Sequence, residues 1–385
     1  MQKRKYGKLG FDVSAFGMGC MRLPTIVDSE GKAQVDKEKA FEMIHYAADN
    51  GVNYFDTAYG YHGQTSESVL GEALEIGGRR SKVKIATKQP FAAMTTQDDI
   101  RRNLENTLKK LRTDHIDVYL IHNIQKGTWD EIKRRKVIEE YEKFKAEGLI
   151  GAIAFSYHGE LPTFRDIMNY YDFGMCQIQQ NLLDVDKEVT EEAIQLAGEK
   201  GTALVIMEPL RGGNLASAPT RVKELYENYP TQRSHVDWAF RHLLNYPEVS
   251  CILSGTTTLE QLKDNIRIFS APDAVPGCLT AEDKALLGKV KASYESVVTI
   301  PCTGCNYCMP CPQNVDIPGI FSRFNDATMF ESFDPSRRTY MFLTRAGKDA
   351  TGCVECGLCE AQCPQHIDII NQLKMAHEPL KGWAE

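Results

Sequence analysis

No stretch of the 385-residue chain approaches the ~20 consecutive apolar residues that a membrane span needs. The first residues, Met1-Gln2-Lys3-Arg4-Lys5-Tyr6, are polar and lead into no apolar run, so a secretory leader is not expected and the protein is expected in the cytoplasm. Positive charge is also short. The 45 Lys and Arg against 52 Asp and Glu leave a net charge of −7 and a pI near 5.8. Without a basic stripe to neutralise phosphates, nucleic acids and acidic membrane surfaces are excluded as partners, and small molecules and proteins remain. Gly17-Met18-Gly19-Cys20-Met21-Arg22 lacks the third glycine of a dinucleotide-binding turn, which argues against a doubly wound open sheet. No repeat of solenoid length is present.

Cysteine, by contrast, is plentiful and clustered. Of 12 cysteines, eight fall in two runs, Cys302-x2-Cys305-x2-Cys308-x2-Cys311-Pro312 and Cys353-x2-Cys356-x2-Cys359-x3-Cys363-Pro364. A thiolate every third residue wraps a loop around an iron–sulfur cubane, and a more distant cysteine closes the shell. Zinc would be crowded by four cysteines in one run before a proline. Disulfides need an oxidising compartment. The runs resemble those of bacterial two-cluster ferredoxins, in which the fourth cysteine of each run serves the other cluster. That resemblance implies two [4Fe-4S] clusters, one on Cys302, Cys305, Cys308 and Cys363 and one on Cys353, Cys356, Cys359 and Cys311. The first run has two residues before its last cysteine where the ferredoxin run has three. Such clusters favour an oxygen-poor niche. Cys20, Cys176, Cys251 and Cys278 are isolated and are expected to be buried small hydrophobes.

Upstream of the cysteines, short apolar runs alternate with amphipathic segments. Strands are expected at 15–19, 53–56, 84–87, 118–121, 150–155, 175–178, 203–207 and 251–254, and helices at 37–50, 98–111, 131–147, 188–200 and 235–245. Eight strand–helix alternations over ~250 residues give an α/β fold of the (β/α)8 TIM-barrel type. Residues 5–13, with Gly7 and Gly10 in turn positions, read as a hairpin closing the barrel floor. The division expected is a barrel over 1–275, a connecting helix within 276–298 and a ferredoxin-like domain over 299–385. Phe321, Phe324, Phe330 and Phe333 supply apolar mass between the cysteine runs.

In such a barrel, reactive side chains stand at the C-terminal strand ends and in the loops beyond. Those positions hold Asp56, Lys88 and His122, with Tyr61 in the loop after Asp56. A tyrosine hydroxyl is a weak acid at neutral pH unless a neighbouring ammonium stabilises its phenolate. Lys88 can supply that charge, Asp56 can hold Lys88 protonated, and His122 can hydrogen-bond the same carbonyl oxygen that Tyr61 would protonate. A lone Asp–Lys pair is commonly only an ion pair, and a lone strand-end histidine often caps a loop. The four together are harder to assign to structure alone. His62, beside Tyr61, is expected to be an exposed loop histidine.

Asp56-Thr57-Ala58-Tyr59-Gly60-Tyr61, Ile85-Ala86-Thr87-Lys88 and Val118-Tyr119-Leu120-Ile121-His122 resemble the tetrad segments of the aldo-keto reductases over residues 1 to about 270. The whole chain resembles the prokaryotic subgroup that carries a C-terminal ferredoxin-like domain. The resemblance implies an oxidoreductase that uses NADPH or NADH on a small carbonyl or alcohol, with Tyr61 as general acid. It also implies carboxamide contacts from Ser156 and Gln177, and a stacking position at Met207, where the family carries an aromatic ring. Tyr157 stands where the family usually has asparagine. Arg211, with Gly212 and Gly213, is placed to approach the pyrophosphate. Gly255, Thr256, Gln261 and Asn265 lie where the last strand leads into a helix, whose start favours an anionic group. NADPH-selective members carry basic residues there, but this chain has Gly255 and Gln261, and the choice of nicotinamide stays open.

Hydride moves two electrons and a cluster moves one, so a ferredoxin or flavoprotein partner, or an unseen flavin, is an alternative expectation. A non-catalytic redox-sensing subunit is another.

Overall fold

The computed structural model describes residues 1–185 and 191–382. They fall into two compact units, Met1–Ala216 with Arg233–Ala281, and Ser217–Gln232 with the residues from Glu282 onward.

The first unit is a closed eight-stranded parallel barrel. Its strands are β1 (Phe16–Gly19), β2 (Tyr54–Asp56), β3 (Lys84–Pro90), β4 (Ile116–Ile124), β5 (Ile150–Tyr157), β6 (Met175–Gln179), β7 (Ala203–Met207) and β8 (Val249–Ser254). Each pairs in parallel with its sequence neighbours, and β8 closes on β1 through Ile252 opposite Phe16. Phe16, Met18, Phe55, Ile85, Ile121, Phe155, Ile178 and Ile206 face the surrounding helices in one core. Burial on both faces explains why these strands read as continuous apolar runs.

The barrel floor is plugged by a hairpin of Lys3–Lys5 and Asp12–Ser14, which reaches beyond the expected 5–13 at both ends. Gly7 turns it at φ +51°, where a Cβ would strike Ala203 N at 2.4 Å. Arg4 runs back from this hairpin to donate to the carbonyls of Leu244, Tyr246 and Val249, satisfying the end of helix His235–Leu244.

Helices Lys37–Asp49, Gln97–Leu111 and His235–Leu244 match their expected positions, each opened by a capping Asp36, Thr96 or Ser234. The helix expected at 188–200 begins outside the described residues, and Glu191–Glu199 is helical. One expected helix, 131–147, is in fact two, Lys126–Arg134 and Val137–Ala146, parted at Lys136 with φ +53°. Four successive cations, Lys133 to Lys136, sit at the break, and the first three pair back with Asp130 or Glu131.

In the second unit, helices Thr220–Glu227, Ala281–Glu295, Ile317–Met329, Asp334–Arg345 and Ile369–Leu380 accompany the cysteine loops. Arg221 ties the first of them in by donating to Ser293 O at 3.2 Å and Met329 O at 2.7 Å. Phe321 and Phe324 join Ile300, Val315 and Ile317 in a small core against which six of the cysteines pack. Among the described residues, no helix is long and apolar enough to cross a membrane.

Candidate active site

Side chains alternate along each strand, and this parity builds the site. Tyr54, Ala86, Val118, Leu120, Ala154, Met175, Ala203, Val205, Cys251 and Leu253 point inward and fill the barrel with an apolar core. The next inward positions above them are Asp56, Lys88, His122, Ser156, Gln177 and Met207, and all six line a cavity of about 610 Å³ at the C-terminal face. Inward-facing Gly17 leaves room in that barrel, since a Cβ there would meet Leu253 at 2.7 Å and Cys251 Sγ at 2.8 Å.

Tyr61 reaches the same cavity from the turn Tyr61–Gln64 beyond β2. The loop is pinned to β3 by Thr57 N donating to Ala86 O and Tyr59 N donating to Lys88 O. Lys88 Nζ donates to Asp56, to Thr57 O at 2.9 Å and to the Tyr61 hydroxyl at 3.3 Å. The Lys88 and Asp56 side chains are only 1% and 4% exposed. The Tyr61 and His122 rings meet edge to face, 6.0 Å between centroids.

Burial governs the electrostatics here. It pulls the Lys88 ammonium down, but Asp56 and Tyr61 outweigh it and the net direction is up. It pushes the Asp56 carboxyl up, with Lys88 opposing. Tyr61 differs from the sequence expectation of a more acidic phenol. Its hydroxyl is held above the ordinary value because burial exceeds the pull of Lys88, and Asp56 adds to the rise. His122 is lowered to about 3 by burial, then by the charge of Lys88 and by His158, and is neutral at physiological pH.

Around this group, Gln177 donates from Nε2 to Met207 Sδ at 3.6 Å, while its buried Oε1 has no hydrogen-bond partner. The Ser156 hydroxyl accepts from Asn123 N at 2.8 Å. An unpaired acceptor beside a hydroxyl with a hydrogen left to donate fits a carboxamide, which offers both an amine and a carbonyl. Tyr157 points the other way, buried, and donates to Glu160 O.

Gly212, Gly213, Gly255 and Gln261 also line the cavity, but Arg211, Thr256 and Asn265 do not. The Arg211 guanidinium is turned away to Asp184, with Nε 3.3 Å from the carboxylate. Thr256 is buried, with an unpartnered hydroxyl. Asn265 lies behind Ser254, donating to its hydroxyl at 3.2 Å. His62 is not an exposed loop residue. Its backbone is left-handed at φ +49°, which folds the ring back to accept from Leu23 N at 3.2 Å. Sequence reasoning missed Arg22, Asn123 and His158 in the cavity lining. No sequence signal places Asn123, because the neighbour of an inward-facing His122 would point outward in a regular strand.

In the second unit the eight cysteines line three cavities, one of which is shared by Cys308, Cys311, Cys356 and Cys359. Of the other two, Cys302, Cys305, Cys308 and Cys363 line one, and Cys311, Cys353, Cys356 and Cys359 line the other. Among the described residues, no three His, Cys, Asp or Glu side chains are gathered as a single metal ion requires. Thiols spread around a cavity fit a cluster rather than a lone tetrahedral zinc. Cys20, Cys176 and Cys251 are buried and Cys278 half-buried.

Residues 16–274 match the model of the aldo/keto reductase family, about two thirds of the chain. The chain belongs to the aldo/keto reductase family. Residues 301–367 match the model of a 4Fe-4S dicluster domain, so this aldo/keto reductase carries an iron–sulfur domain at its C-terminal end. Two relatives are oxidoreductases of Bacillus subtilis (strain 168) described as uncharacterized. YqkF is 26% identical over 70% of this chain and 92% of its own length, and YrpG is 28% identical over 69% and 90%. The aldo-keto reductase AKR11C1 from Bacillus halodurans, in its holo form, superposes with a TM-score of 0.63 at 27% identity, covering 75% of this chain and 96% of that one.

Proposed function

We propose that the barrel mouth reduces a small carbonyl, or in reverse oxidises the alcohol, with a nicotinamide dinucleotide, and that the C-terminal unit holds two [4Fe-4S] clusters in the crosswise cysteine sets. The reading is carried by Lys88 Nζ, which reaches both Asp56 and the Tyr61 hydroxyl in a cavity that His122 also lines.

Bound there, a nicotinamide supplies hydride to the carbonyl carbon, and the clusters supply one-electron chemistry. Tyr61 holds the proton that passes to the carbonyl oxygen, and its raised pKa keeps that proton in place at neutral pH. Lys88 stabilises the phenolate left behind, and Asp56 keeps Lys88 charged. Neutral His122 donates its ring N–H to the same oxygen, which orients the substrate without adding a charge. Ser156 and Gln177 hold the carboxamide.

Tyr61→Phe tests the assignment. The variant is expected to bind the nicotinamide with unchanged affinity by fluorescence titration and to lose carbonyl reduction by ~10²- to 10⁴-fold. Retained turnover, or no nicotinamide binding by the intact protein, sinks the reading.

A second reading is favoured by the exposure of Cys305 and Cys356, flanked by exposed Tyr307, Val354 and Leu358. In it, the clusters exchange single electrons with a ferredoxin or flavoprotein. Cys356→Ala in an otherwise folded protein separates the two, because it spares carbonyl reduction in the first reading and abolishes it in the second.

A further inference from the structure

Arg22 enters the cavity lining from the turn Cys20–Arg22 that directly follows β1. Both neighbours fix its base. The carbonyl of buried Cys20 accepts from the Ser66 hydroxyl at 3.0 Å, and the N–H of buried Leu23 donates to His62 Nε2 at 3.2 Å. The side chain between them is exposed, and its guanidinium makes no hydrogen bond or ion pair among the described residues. Two glycines mark its course. A Cβ on Gly255, just past β8, would lie 3.2 Å from Arg22 Cβ and 3.3 Å from Arg22 Cγ, and one on Gly212, past β7, would lie 3.8 Å from Arg22 Nη2. The stem thus fills the volume that a side chain at 255 would need, and the charged end reaches the left-handed turn at Gly212 and Gly213.

Other cations of these loops are engaged elsewhere. Arg211 turns to Asp184, Lys263 lies over the Tyr46 ring at 5.5 Å, and Arg267 bonds Asp264 within its own helix. Gln261, on the cavity wall, uses its Oε1 to accept from Thr257 N. Lys88 is the one other Lys or Arg in the lining among the described residues, and Asp56 holds it. Glu208 adds negative charge to the same wall, its carboxylate accepting from Gly212 N. An anionic ligand laid along this wall meets that carboxylate, and Arg22 is the cation in place to offset it.

We propose that Arg22 is the phosphate-binding cation of the dinucleotide site, and that it substitutes from the β1 turn for the basic side chains that the stretch after β8 lacks. The proposal rests on the nicotinamide reading above. A guanidinium presents a planar fork of N–H donors that matches two phosphate oxygens at once, and the Gly212–Gly213 turn leaves bare backbone for a phosphate to approach. Because the Arg22 stem lies where a side chain at 255 would stand, a glycine there is compatible with an anionic cofactor.

The test titrates cluster-loaded wild type and Arg22→Gln with NADH and with NADPH under anaerobic conditions, following nicotinamide fluorescence at low and at high salt. Arg22→Gln keeps most of the stem and removes the charge. It is expected to weaken both coenzymes by about 10- to 100-fold, the worth of a charged hydrogen bond, because the guanidinium stands beside the turn expected to take the pyrophosphate common to both. A loss confined to NADPH assigns the same cation to its 2′-phosphate. Wild-type affinity is expected to fall with added salt more steeply than that of the variant. Arg22→Lys keeps the charge and is expected to recover part of the affinity. Unchanged affinity for both coenzymes in Arg22→Gln, or a loss whose salt dependence matches wild type, overturns the proposal while leaving the reductase reading intact. Wild type that binds neither coenzyme is the separate failure of the reductase reading.

Discussion

The Lys88 ammonium stands 3.3 Å from the Tyr61 hydroxyl and is hydrogen-bonded at the same time to Asp56, with the Lys88 and Asp56 side chains both buried. Because the pair is buried, losing either member leaves a charge without its counter-ion, and stability and chemistry fall together.

Lys88→Met is therefore expected to destabilise the barrel by about 3–5 kcal/mol, the usual result of breaking a buried ion pair from one side. Urea denaturation measures it. The Lys88→Met, Asp56→Asn double variant is expected to recover part of that loss without recovering carbonyl reduction, because no charge then remains to stabilise a phenolate.

His122 gives a pH signature. Its folded pKa of about 3 lies below the ordinary value of 6.5, so the unfolded chain takes up a proton first as pH falls. The stability linked to His122 is complete above pH 6.5 and is lost as pH drops from there toward 3. His122→Gln is expected to lose stability less steeply between pH 6 and pH 4 in a series of denaturant melts. Carbonyl reduction by wild type is expected to show no acid limb from this residue between pH 5 and pH 8.

Two glycines predict opposite outcomes for the same substitution. Gly17→Ala places a Cβ 2.7 Å from Leu253, 2.8 Å from Cys251 Sγ and 3.0 Å from the Tyr54 ring, and is expected to cost about 1–3 kcal/mol through overpacking. Gly288→Ala lies within helix Ala281–Glu295 with open space around it, and is expected to stabilise by about 0.5–1 kcal/mol through helix propensity. Thermal melts of the two variants settle the comparison.

For the cysteine unit, iron content is the measurement. Cys311→Ala and Cys363→Ala are each expected to lower iron from about eight atoms toward about four, since each residue belongs to a different cavity. Removing both is expected to lower it further than either alone. A Cys311→Ala protein that keeps its full iron and cluster absorbance sinks that ligand assignment.

The barrel is legible in the sequence because a parallel strand buried on both faces must be an apolar run, and each must be followed by a helix. The run at 203–207 coincides with β7, and the other seven fall within a few residues of their observed bounds. Helices Ser66–Glu75, Leu161–Tyr170 and Thr220–Glu227 escape notice because they are short and their burial is set by neighbours distant in sequence. The positions of Asp56, Lys88 and His122 follow from strand ends and parity. The aim of Asn123 does not, because it depends on a register shift between two strands. Arg211 misleads for a related reason: a cation next to two glycines suggests a phosphate, but Asp184, 27 residues earlier in the chain, claims it.

Cys311 stands with the later cysteine run and Cys363 with the earlier one, so the two cavities are interlocked through the chain. A cut anywhere between Cys311 and Cys353 leaves two fragments, each holding three thiols of one set and one of the other. Neither fragment can complete a pocket by itself. Although the unit reads as a duplication, neither of its halves carries all four thiols of one cavity.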